Sequence, residues 1–469
     1  MTATLPELDE DLAGLAEARQ KARQARKAFL QFEDATQEDL DRIVAAMSAA
    51  ASDASAELAR VAVDETGYGV YEDKILKNRY NADFVAQSMV GMRTKGVLWV
   101  DEPGRMTAIG SPMGVIAAII PVTNPTSTVI FKSLAAIKSG NTVVHAPHPR
   151  AVKACRRTAE VMAEAAINAG APHGVISCLE RASIAATTEL MRHPDVALVL
   201  ATGGAGMVRA AYSSGKPTLA VGAGNVPVYV HSSVPDLTEA AEMIVTSKAF
   251  DNGTACVAEQ SVVIDEPIAD AAIAAFTDRG VAFLDETQQK HLIELIFDER
   301  GGLRPDNVGQ SAIELARRIG ISVPSGTRVL GAVLTDVGRN QPLSAEILGP
   351  VLSFYRAESV AAGIARCREI LAFGGEGHTL GIHASDETVI ARLSQLPASR
   401  MPVNTPSLFG GMGYSTNIGP SFMLGTGTWS GSLTSDNVSP LHLINIKRLA
   451  YEVRPWRGLY DSQTGTQTR

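Results

Sequence analysis

The sequence contains little cysteine, few aromatic residues and no long apolar run. Only four of its 469 residues are cysteine, and 5% are aromatic. Four scattered cysteines in so long a chain argue against a disulfide framework and predict reduced thiols, so we expect a cytoplasmic protein. The longest candidate for a membrane span, 115–122, is far shorter than the roughly 20 apolar residues that crossing a bilayer requires, and we expect no membrane association.

The sequence also has fewer basic than acidic residues. The 42 lysine and arginine residues are outnumbered by 50 aspartate and glutamate residues, which gives a formal net charge of −8. Because nucleic acids attract basic surfaces, this balance predicts no nucleic-acid partner. The histidines and cysteines lack the spacing of metal ligands, so we expect no metal site either.

The remaining composition, 45% hydrophobic and 20% charged, is that of ordinary globular domains, and the length suggests two or three of them. Residues 8–32 repeat apolar side chains every three or four positions, which predicts an amphipathic helix. Thr36 and Asp39 resemble a capping box that opens a second helix, which Gly67 is suited to close. We expect the polar end of the chain, 461–469, to be mobile.

Beyond residue 113, short apolar segments alternate with helical patterns. Such alternation predicts a parallel, doubly wound sheet, which binds ligands at the carboxyl ends of its strands. A second alternating region begins near residue 261, so we expect two α/β domains in series. The predicted strands are 114–121, 142–146, 175–179, 196–201, 218–221, 261–264, 329–334 and 351–355. The predicted helices are 126–139, 150–168, 184–192, 205–214, 268–276, 310–318 and 359–371.

Cys256 lies in a glycine-containing loop, 250–260, just before an apolar β-like run. This position predicts a thiol that is presented rather than buried, whereas Cys155, Cys178 and Cys367 lie in ordinary apolar or helical surroundings. Thiolates attack carbonyl carbons and leave again from thioesters, so Cys256 is the candidate nucleophile. A structural cysteine in an apolar segment is the alternative.

Two glycine-rich segments, 204–209 and 222–227, approach the GxGxxG dinucleotide pattern, but both lack its third glycine. The residues from Thr202 to Gly206 nevertheless follow a predicted strand and open a helix, where backbone amides are suited to receive a phosphate. A tight strand-to-helix turn without a ligand explains the same glycines. On the residues alone, both interpretations stay open.

Nine segments in one order resemble the aldehyde dehydrogenase superfamily and, within it, the CoA-acylating branch. Their pattern looks closest to acylating sulfoacetaldehyde dehydrogenases and to the aldehyde dehydrogenase half of bifunctional aldehyde–alcohol dehydrogenases. The resemblance extends from near residue 8 to near residue 450. The sequence ends soon after Lys447, without an alcohol dehydrogenase half, so we expect the monofunctional form. The segments are 121–133, 146–150, 201–208, 211–217, 221–225, 250–260, 346–350, 374–379 and 442–447.

The resemblance implies an α/β, aldehyde dehydrogenase-like fold with two doubly wound domains and a small oligomerisation extension. A nucleotide-binding domain is expected at 1–93 and 110–220, and a catalytic domain that carries the cysteine at 221–435. A hairpin within 94–109 and a C-terminal strand and tail within 436–469 are expected to bridge the subunits of a homodimer or homotetramer.

The resemblance implies catalytic roles for two residues, and a third is a candidate because of its own chemistry. Cys256 is implied as the nucleophile that forms a thiohemiacetal and then a thioester. The amide of Asn124 is implied as a donor to the oxyanion, together with the backbone N–H of Cys256, although an asparagine before a proline also suits a plain turn. His378 is a candidate for deprotonating the CoA thiol, and a histidine that only packs its loop is the equal alternative.

The resemblance also implies NAD or NADP as the cofactor. Glu346 precedes Ile-Leu-Gly-Pro, where the family's glutamate holds the nicotinamide ribose hydroxyls, and a solvated acid at a helix end is the alternative. Ala146 stands before Pro147 where hydrolytic relatives have a lysine, which leaves NAD and NADP both open. Arg150 suits either a 2′-phosphate or a plain surface. The implied cofactor-binding residues are Thr202, Gly203, Gly204, Gly206, Gly222, Pro147, Arg150 and Glu346.

Val221 departs from the hydrolytic relatives, which place a glutamate base at the equivalent position. Valine takes no proton from water, so the thioester is expected to persist until another thiol, that of coenzyme A, attacks it. Glu259 and Glu346 stay alternative bases for water. The resemblance therefore implies reversible NAD(P)-dependent oxidation of a small aldehyde to its acyl-CoA, with a hydrolytic enzyme and a catalytically silent binding subunit as alternatives.

The resemblance points to the substrate only loosely. Sulfoacetaldehyde is favoured because 410–416 and 425–431 resemble the acylating sulfoacetaldehyde enzymes, and acetaldehyde comes next. A sulfonate requires donors or cations, which Arg400 and the hydroxyl-rich run 405–416 are expected to supply. A small aldehyde and coenzyme A are thus the expected partners.

Overall fold

Residues 10–459 are described by a computed structural model, and they form two large parallel sheets, a small antiparallel sheet, a two-stranded parallel sheet and their covering helices. The strands are β1 Gly96–Asp101, β2 Met106–Pro112, β3 Val115–Ile119, β4 Thr142–Ala146, β5 Ile176–Cys178, β6 Val196–Thr202, β7 Thr218–Val221, β8 Val226–Val230, β9 Glu259–Asp265, β10 Val281–Phe283, β11 Val329–Val333, β12 Val351–Ala357, β13 Gly377–Thr379, β14 Gly381–His383, β15 Ala398–Arg400 and β16 Ile444–Ala450.

The α-helices lie between these strands and ahead of β1. They are α1 Glu10–Phe32, α2 Gln37–Asp53, α3 Ser55–Thr66, α4 Tyr71–Arg79, α5 Ala86–Ser88, α6 Pro125–Lys138, α7 Val152–Asn168, α8 Ile184–Arg192, α9 Ala205–Tyr212, α10 Leu237–Ala249, α11 Ala269–Asp278, α12 Glu286–Ile296, α13 Ala312–Arg318, α14 Val360–Ile370, α15 Glu387–Leu393 and α16 Ser407–Gly411. A wider π-helical turn, Tyr80–Val85, joins α4 to α5. No helix within 10–459 is both long and apolar enough to cross a membrane.

The first parallel sheet has the strand order β5-β4-β3-β6-β7. Every residue of β3 and β4 is buried, because helices cover both faces of the sheet, as parallel sheets require. Alanines of α1 pack with β3 on one face, while α2, α6 and α7 cover the other. The ammonium of Lys132 on the fully buried α6 donates to the carbonyls of Ile119 (2.7 Å) and Leu200 (3.0 Å), which ties the helix to the ends of β3 and β6.

The second parallel sheet has the order β10-β11-β12-β9-β8-β14. Helices α10 and α11 pack on one face, and α12 to α15 pack on the other. The third sheet is antiparallel and has the order β1-β2-β16. It leaves apolar side chains exposed on both of its faces, Val97, Val100 and Leu449 on one and Trp99 and Ile446 on the other. A fourth sheet has only two strands, the parallel pair β13 and β15.

The predicted α/β class with two parallel sheets is confirmed. The strands 142–146 and 218–221 and the helix 184–192 are found at their predicted bounds, and the other predicted elements differ by a few residues at their ends. The capping box of Thr36 and Asp39 is present. Residue 8 of the predicted first helix and the tail 461–469 lie outside the described residues.

The single helix predicted between Thr36 and Gly67 is wrong, because the chain turns at Ala54 and forms two helices there. The Ser55 hydroxyl bonds back to the Ala51 carbonyl (2.8 Å), a local bond with which serine competes with the helical ladder. Gly67 ends the second helix at φ 69°, a left-handed conformation that glycine adopts without strain. Strand β8 was not predicted, since Pro227 interrupts its apolar run; the register with β9 shifts at that proline.

Candidate functional site

One cavity of about 300 Å³ lies where the carboxyl end of the first parallel sheet faces the amino end of the second. Loops that follow β3, β6 and β7 form one side, and the segments that precede β9 and β12 form the other. The polar and charged residues of the lining are Lys77, Thr123, Asn124, Thr128, His148, Thr202, Thr254, Cys256 and Glu346. The cavity therefore gathers several of the predicted residues.

Cys256 is half-buried in this cavity, whereas Cys155, Cys178 and Cys367 are buried elsewhere. The loop that presents the thiol turns sharply through Asp251, whose φ is 50°. Burial raises the pKa of the Cys256 thiol to about 12; the negative charge of Glu346 adds to the rise, and the charges of Arg400 and Lys77 oppose it. The resting nucleophile is therefore a thiol, which must lose its proton when it attacks.

Asn124 begins α6 and faces the same cavity. Its carbonyl oxygen Oδ1 accepts a hydrogen bond from Lys77 Nζ at 2.6 Å. Its amide nitrogen Nδ2 donates to the carbonyl of Thr254 at 3.2 Å and to Thr123 Oγ1 at 3.1 Å. The NH₂ end of the side chain thus points toward the loop that carries Cys256, and a substrate oxygen would have to replace one of these two acceptors to receive its donation.

Lys77 also lines the cavity, although no motif in the sequence pointed to it. The side chain is only 3% exposed, and its ammonium contacts Asp251 Oδ2 as well as Asn124. Lys74, one turn earlier on α4, donates to the same Asp251 oxygen at 3.0 Å. Burial lowers the pKa of Lys77 to about 8, and the charge of Asp251 opposes that fall. Burial alone would raise the pKa of Asp251, but the two lysines hold it below its usual range.

The predicted phosphate-binding turn is only partly at the cavity. Thr202, Gly203, Gly204 and Gly222 line it, and Thr202 Oγ1 is buried without a hydrogen-bond partner. Gly206 lies in the first turn of α9, exposed and outside the lining. The opening of α9 therefore offers a free hydroxyl and unpaired helix N–H groups to a ligand.

The segment after β4 shows a similar division. His148 reaches the cavity, while Pro147 is buried outside the lining. Arg150 lies over the ring of Tyr68 (5.2 Å to the centroid) and 3.6 Å from Asp306, an exposed carboxylate. In this structure the guanidinium of Arg150 is thus occupied by protein groups at the surface.

Glu346 faces the cavity from the segment that precedes β12. Its Oε1 accepts the N–H of Gly224 at 2.8 Å. Burial raises the pKa of Glu346 to about 7, against the opposing effects of that N–H and of the charge of Lys248. Lys248 in turn donates to the Ile347 carbonyl (3.1 Å) and to Gln260 Oε1 (2.8 Å), which fixes the backbone beside Glu346.

Comparison with known proteins identifies the family of this chain. A model of the aldehyde dehydrogenase family matches residues 10–417. The chain belongs to the aldehyde dehydrogenase family. It is 39% identical over 445 residues to the bifunctional aldehyde-alcohol dehydrogenase of Escherichia coli K12, covering 94% of this chain and 50% of that protein. The chain thus spans about half the length of the first curated relatives it matches.

Acylating members are among the similar proteins, which confirms the predicted resemblance. The acylating sulfoacetaldehyde dehydrogenase of Cupriavidus necator is 35% identical over 459 residues, covering 96% of this chain and 92% of that one. An acetylating aldehyde dehydrogenase of Geobacillus thermoglucosidasius is 43% identical with a TM-score of 0.94, covering 96% of this chain and 99% of that one.

Two further solved structures of similar proteins contain ligands. A propionaldehyde dehydrogenase of Rhodopseudomonas palustris, with bound CoA and an acylated cysteine, is 28% identical with a TM-score of 0.83, covering 92% of this chain and 97% of that one. An engineered glycolyl-CoA reductase with bound NADP+ has the same identity and TM-score, covering 92% of this chain and 96% of that one.

Val221, for which the resemblance implies the position of the glutamate base of hydrolytic aldehyde dehydrogenases, lines the cavity at the end of β7. Among the described residues, Glu346 is the only carboxylate in the lining. Glu259, the other alternative base, is fully buried outside the cavity, where its Oε1 accepts the N–H of Ser407 at 2.7 Å. Within the described cavity lining, Glu346 is therefore the one carboxylate that could take a proton from water.

His378 lies behind the cavity wall. It is fully buried, with Nδ1 3.0 Å from Thr379 Oγ1 and with Nε2 lacking a partner. Its ring packs on Gly224, and a Cβ added to that glycine would lie 3.0 Å from the ring and 2.2 Å from the carbonyl oxygen of Cys256. Burial, and then the charge of Arg400, hold the pKa of His378 well below its usual range.

The expectation that Arg400 supplies a cation to the substrate pocket is wrong. Its side chain is 3% exposed and donates to the carbonyls of His378 (2.9 Å) and Gly425 (2.7 Å) and to Asn437 Oδ1 (3.1 Å). Of the run 405–416, only Leu408 and Met412 reach the lining. One apolar end of the lining consists of Leu408, Met412, Phe422, Met423 and Leu424, which pack in one cluster with Val257, the neighbour of Cys256.

Proposed function

We propose that this protein is a CoA-acylating aldehyde dehydrogenase, which oxidises a small aldehyde to its acyl-CoA with NAD or NADP. The single observation that carries the proposal is the cavity in which Cys256 faces Asn124 while Val221 occupies the place of the hydrolytic base. The acylated cysteine and bound CoA of the similar propionaldehyde dehydrogenase support it.

The residues around the opening of α9 fit a dinucleotide. When bound, NAD(P) accepts the hydride from the substrate carbon. Thr202, whose hydroxyl is buried and unpartnered, and the following Gly203 and Gly204 would hold its phosphate groups. Glu346, across the cavity, would accept the ribose hydroxyls when it is ionised. Gly206, Pro147 and Arg150 lie outside the lining. We therefore place the main cofactor contacts on Thr202, Gly203, Gly204 and Glu346.

The chemistry begins at Cys256. Sγ bonds to the aldehyde carbon as the thiol proton passes to solvent, and the carbonyl double bond becomes a single bond whose oxygen carries the negative charge. The NH₂ of Asn124 stabilises that oxygen, and a donor of this kind contributes about 3–4 kcal/mol in the transition state. Loss of hydride from the same carbon leaves a thioester on Cys256. The CoA sulfur then attacks the thioester carbon, the bond to Cys256 breaks, the proton of the CoA thiol passes to the departing Cys256 sulfur, and acyl-CoA is released.

CoA rather than water is the proposed acceptor. No proton acceptor exists at Val221, and Glu346 is held by the N–H of Gly224 on the wall opposite the first sheet. An unhydrolysed thioester therefore waits for a thiol. His378 is a candidate for accepting the proton of the CoA thiol. Because its ring is fully buried behind Gly224, Gly224 would have to move before CoA could contact it.

The lining favours a small uncharged aldehyde, with acetaldehyde first, over the sulfoacetaldehyde that the sequence favoured. Lys77 is the only lysine or arginine among the described lining residues, and Asp251 already compensates its charge. The remaining end of the cavity is apolar, which suits an alkyl group and disfavours an unpaired sulfonate. The similarity to the Cupriavidus necator enzyme keeps sulfoacetaldehyde in the test.

Three wider expectations form part of the same proposal. The first parallel sheet with α1 to α9 would bind the nucleotide, and the second would carry the catalytic cysteine. The exposed apolar side chains of β1 and β16 would meet another copy of the chain in a homodimer or homotetramer. The four cysteines, all unpaired, suit a reducing compartment, and we place the protein in the cytoplasm.

The test is NAD(P)H formation by the purified protein with acetaldehyde, propionaldehyde and sulfoacetaldehyde, each with and without CoA. We expect turnover that requires CoA, is fastest with an uncharged aldehyde, and is abolished by Cys256→Ala. Sustained turnover without CoA would make water the acceptor and would contradict the proposal. A clear preference for sulfoacetaldehyde would overturn only the choice of substrate.

A further inference from the structure

An amide side chain can present either of its two ends to a substrate, and only one end donates. The proposed role of Asn124 requires that its NH₂, and not its oxygen, faces the reacting carbonyl. The sequence of the loop does not decide between the two orientations. A group that selects one of them therefore contributes directly to the reaction.

We propose that Lys77 is the positioning residue that holds Asn124 in its donating orientation; this inference rests on the proposed function. Lys77 Nζ lies 2.6 Å from Asn124 Oδ1. An ammonium has three donors and no acceptor, so it meets only the oxygen of the amide. Reversing the amide would place an NH₂ against the ammonium, and the NH₂ is therefore committed to the side of Thr254 and Cys256.

Lys77 is itself held from several sides. Its ammonium contacts Asp251 and donates to Thr254 Oγ1 at 3.1 Å. Asp251 is fully buried and also accepts the backbone N–H of Val70 at 2.7 Å. Lys77 thus links the helix α4, the start of α6 and the cysteine loop at one point. A side chain so constrained cannot release the amide by a simple rotation.

The charge of Lys77 has a second consequence. A cation on the carbonyl oxygen of an amide polarises the group and strengthens donation from its nitrogen, and the effect is larger in a buried site. The same charge favours the thiolate of Cys256. Both effects act on groups that take part in the reaction, the amide of Asn124 and the thiol of Cys256. Neither effect involves the apolar residues of the lining.

Lys74 provides a matched control in the same network. It is equally buried, lies one turn earlier on α4, and pairs with the same oxygen of Asp251. Its remaining contact is the backbone carbonyl of Thr123 at 3.1 Å, and it does not line the cavity. Removing either lysine leaves Asp251 with one cation, so the two losses cost similar structural support, while only the loss of Lys77 frees the amide of Asn124.

The experiment is a double-mutant cycle on the full-length protein with acetaldehyde, NAD+ and CoA. The variants are Lys77→Met, Lys74→Met, Asn124→Ala, and Lys77→Met combined with Asn124→Ala; Lys77→Gln replaces Lys77→Met if the latter does not fold. We expect Lys77→Met to lower kcat about 10- to 100-fold with KM for the aldehyde changed less than about threefold. In the Asn124→Ala background, the same substitution should lower kcat by less than about threefold further.

Three outcomes separate the possibilities. A wild-type protein without CoA-dependent turnover would overturn the proposed function itself. With an active wild type, equal losses of kcat in Lys77→Met and Lys74→Met at equal losses of thermal stability would show a purely structural lysine and overturn the inference. A loss that multiplies in full with that of Asn124→Ala would show that Lys77 does not act through the amide, and would overturn it as well.

Discussion

Replacing Gly224 by alanine should damage catalysis through the backbone of Cys256. The added Cβ would lie 2.2 Å from the Cys256 carbonyl oxygen and 3.0 Å from the ring of His378. Because real Cβ contacts essentially never fall below 3.0 Å, the carbonyl must retreat by roughly 0.8 Å. A misplacement of about 1 Å at a reacting group costs on the order of 100-fold in rate, so we expect kcat to fall about 30- to 100-fold.

The assay is steady-state NAD(P)H formation with saturating CoA, measured beside Gly349→Ala. A Cβ at Gly349 would meet only Ile347 at 3.6 Å and Leu315 at 3.9 Å, which are ordinary contacts, so this buried glycine from the same region controls for the substitution itself. We expect Gly349→Ala to retain kcat within about threefold. If Gly224→Ala, folded as judged by circular dichroism, kept wild-type kcat, the position of the Cys256 backbone would not limit the reaction and our reading of the site would fail.

Three further predictions concern the lining. Glu346 should bind the ribose hydroxyls only when ionised, so KM for NAD(P) should rise as pH falls through about 7. Glu346→Gln should remove that pH dependence, and a wild-type KM that is constant from pH 6 to pH 8 would contradict the prediction. Because the pKa of Cys256 is raised to about 12, its alkylation by iodoacetamide should accelerate about tenfold per pH unit between pH 7 and pH 9. Cys256 should react before the three buried thiols. A rate that levels off within that pH range would refute the raised pKa. Val221→Glu should place a carboxylate in the lining and allow NAD(P)H formation without CoA, whereas Val221→Leu should not.

Much of the fold follows from patterns that the sequence shows directly. The buried strands of the first sheet are short apolar runs separated by helices, and Thr142–Ala146 and Thr218–Val221 were predicted to the residue. Prediction failed where a local feature hid the pattern. Pro227 masked β8, and the turn at Ala54 divided a helix whose apolar spacing continues across the break.

The site was predictable wherever a motif carried it. Cys256, Asn124, Glu346 and the start of α9 do meet at one cavity, as the resemblance implied. Arg400 was misassigned because a sequence shows that a residue is charged but not what surrounds it, and here protein carbonyls satisfy the guanidinium.

Lys77 belongs to no motif, and the resemblance did not select it. One signal could have found it: Lys74, Lys77, Asn78 and Asn81 form a polar stripe at helical spacing, and all four are buried. Buried polar side chains repeating on one face of a helix require partners, because an unpaired buried charge is costly. Such a stripe therefore indicates a buried polar network, and in this protein that network reaches the cavity through Lys77.

The most direct test of the account is to observe the acyl group on Cys256. The protein is mixed with acetaldehyde and NAD+ in the absence of CoA, quenched, and examined by intact and peptide mass spectrometry. We predict an acetyl adduct confined to Cys256, stable until CoA is added and then discharged as acetyl-CoA. An adduct that decays to acetate at the same rate with and without CoA, or that never forms while NADH accumulates, would contradict the central claim.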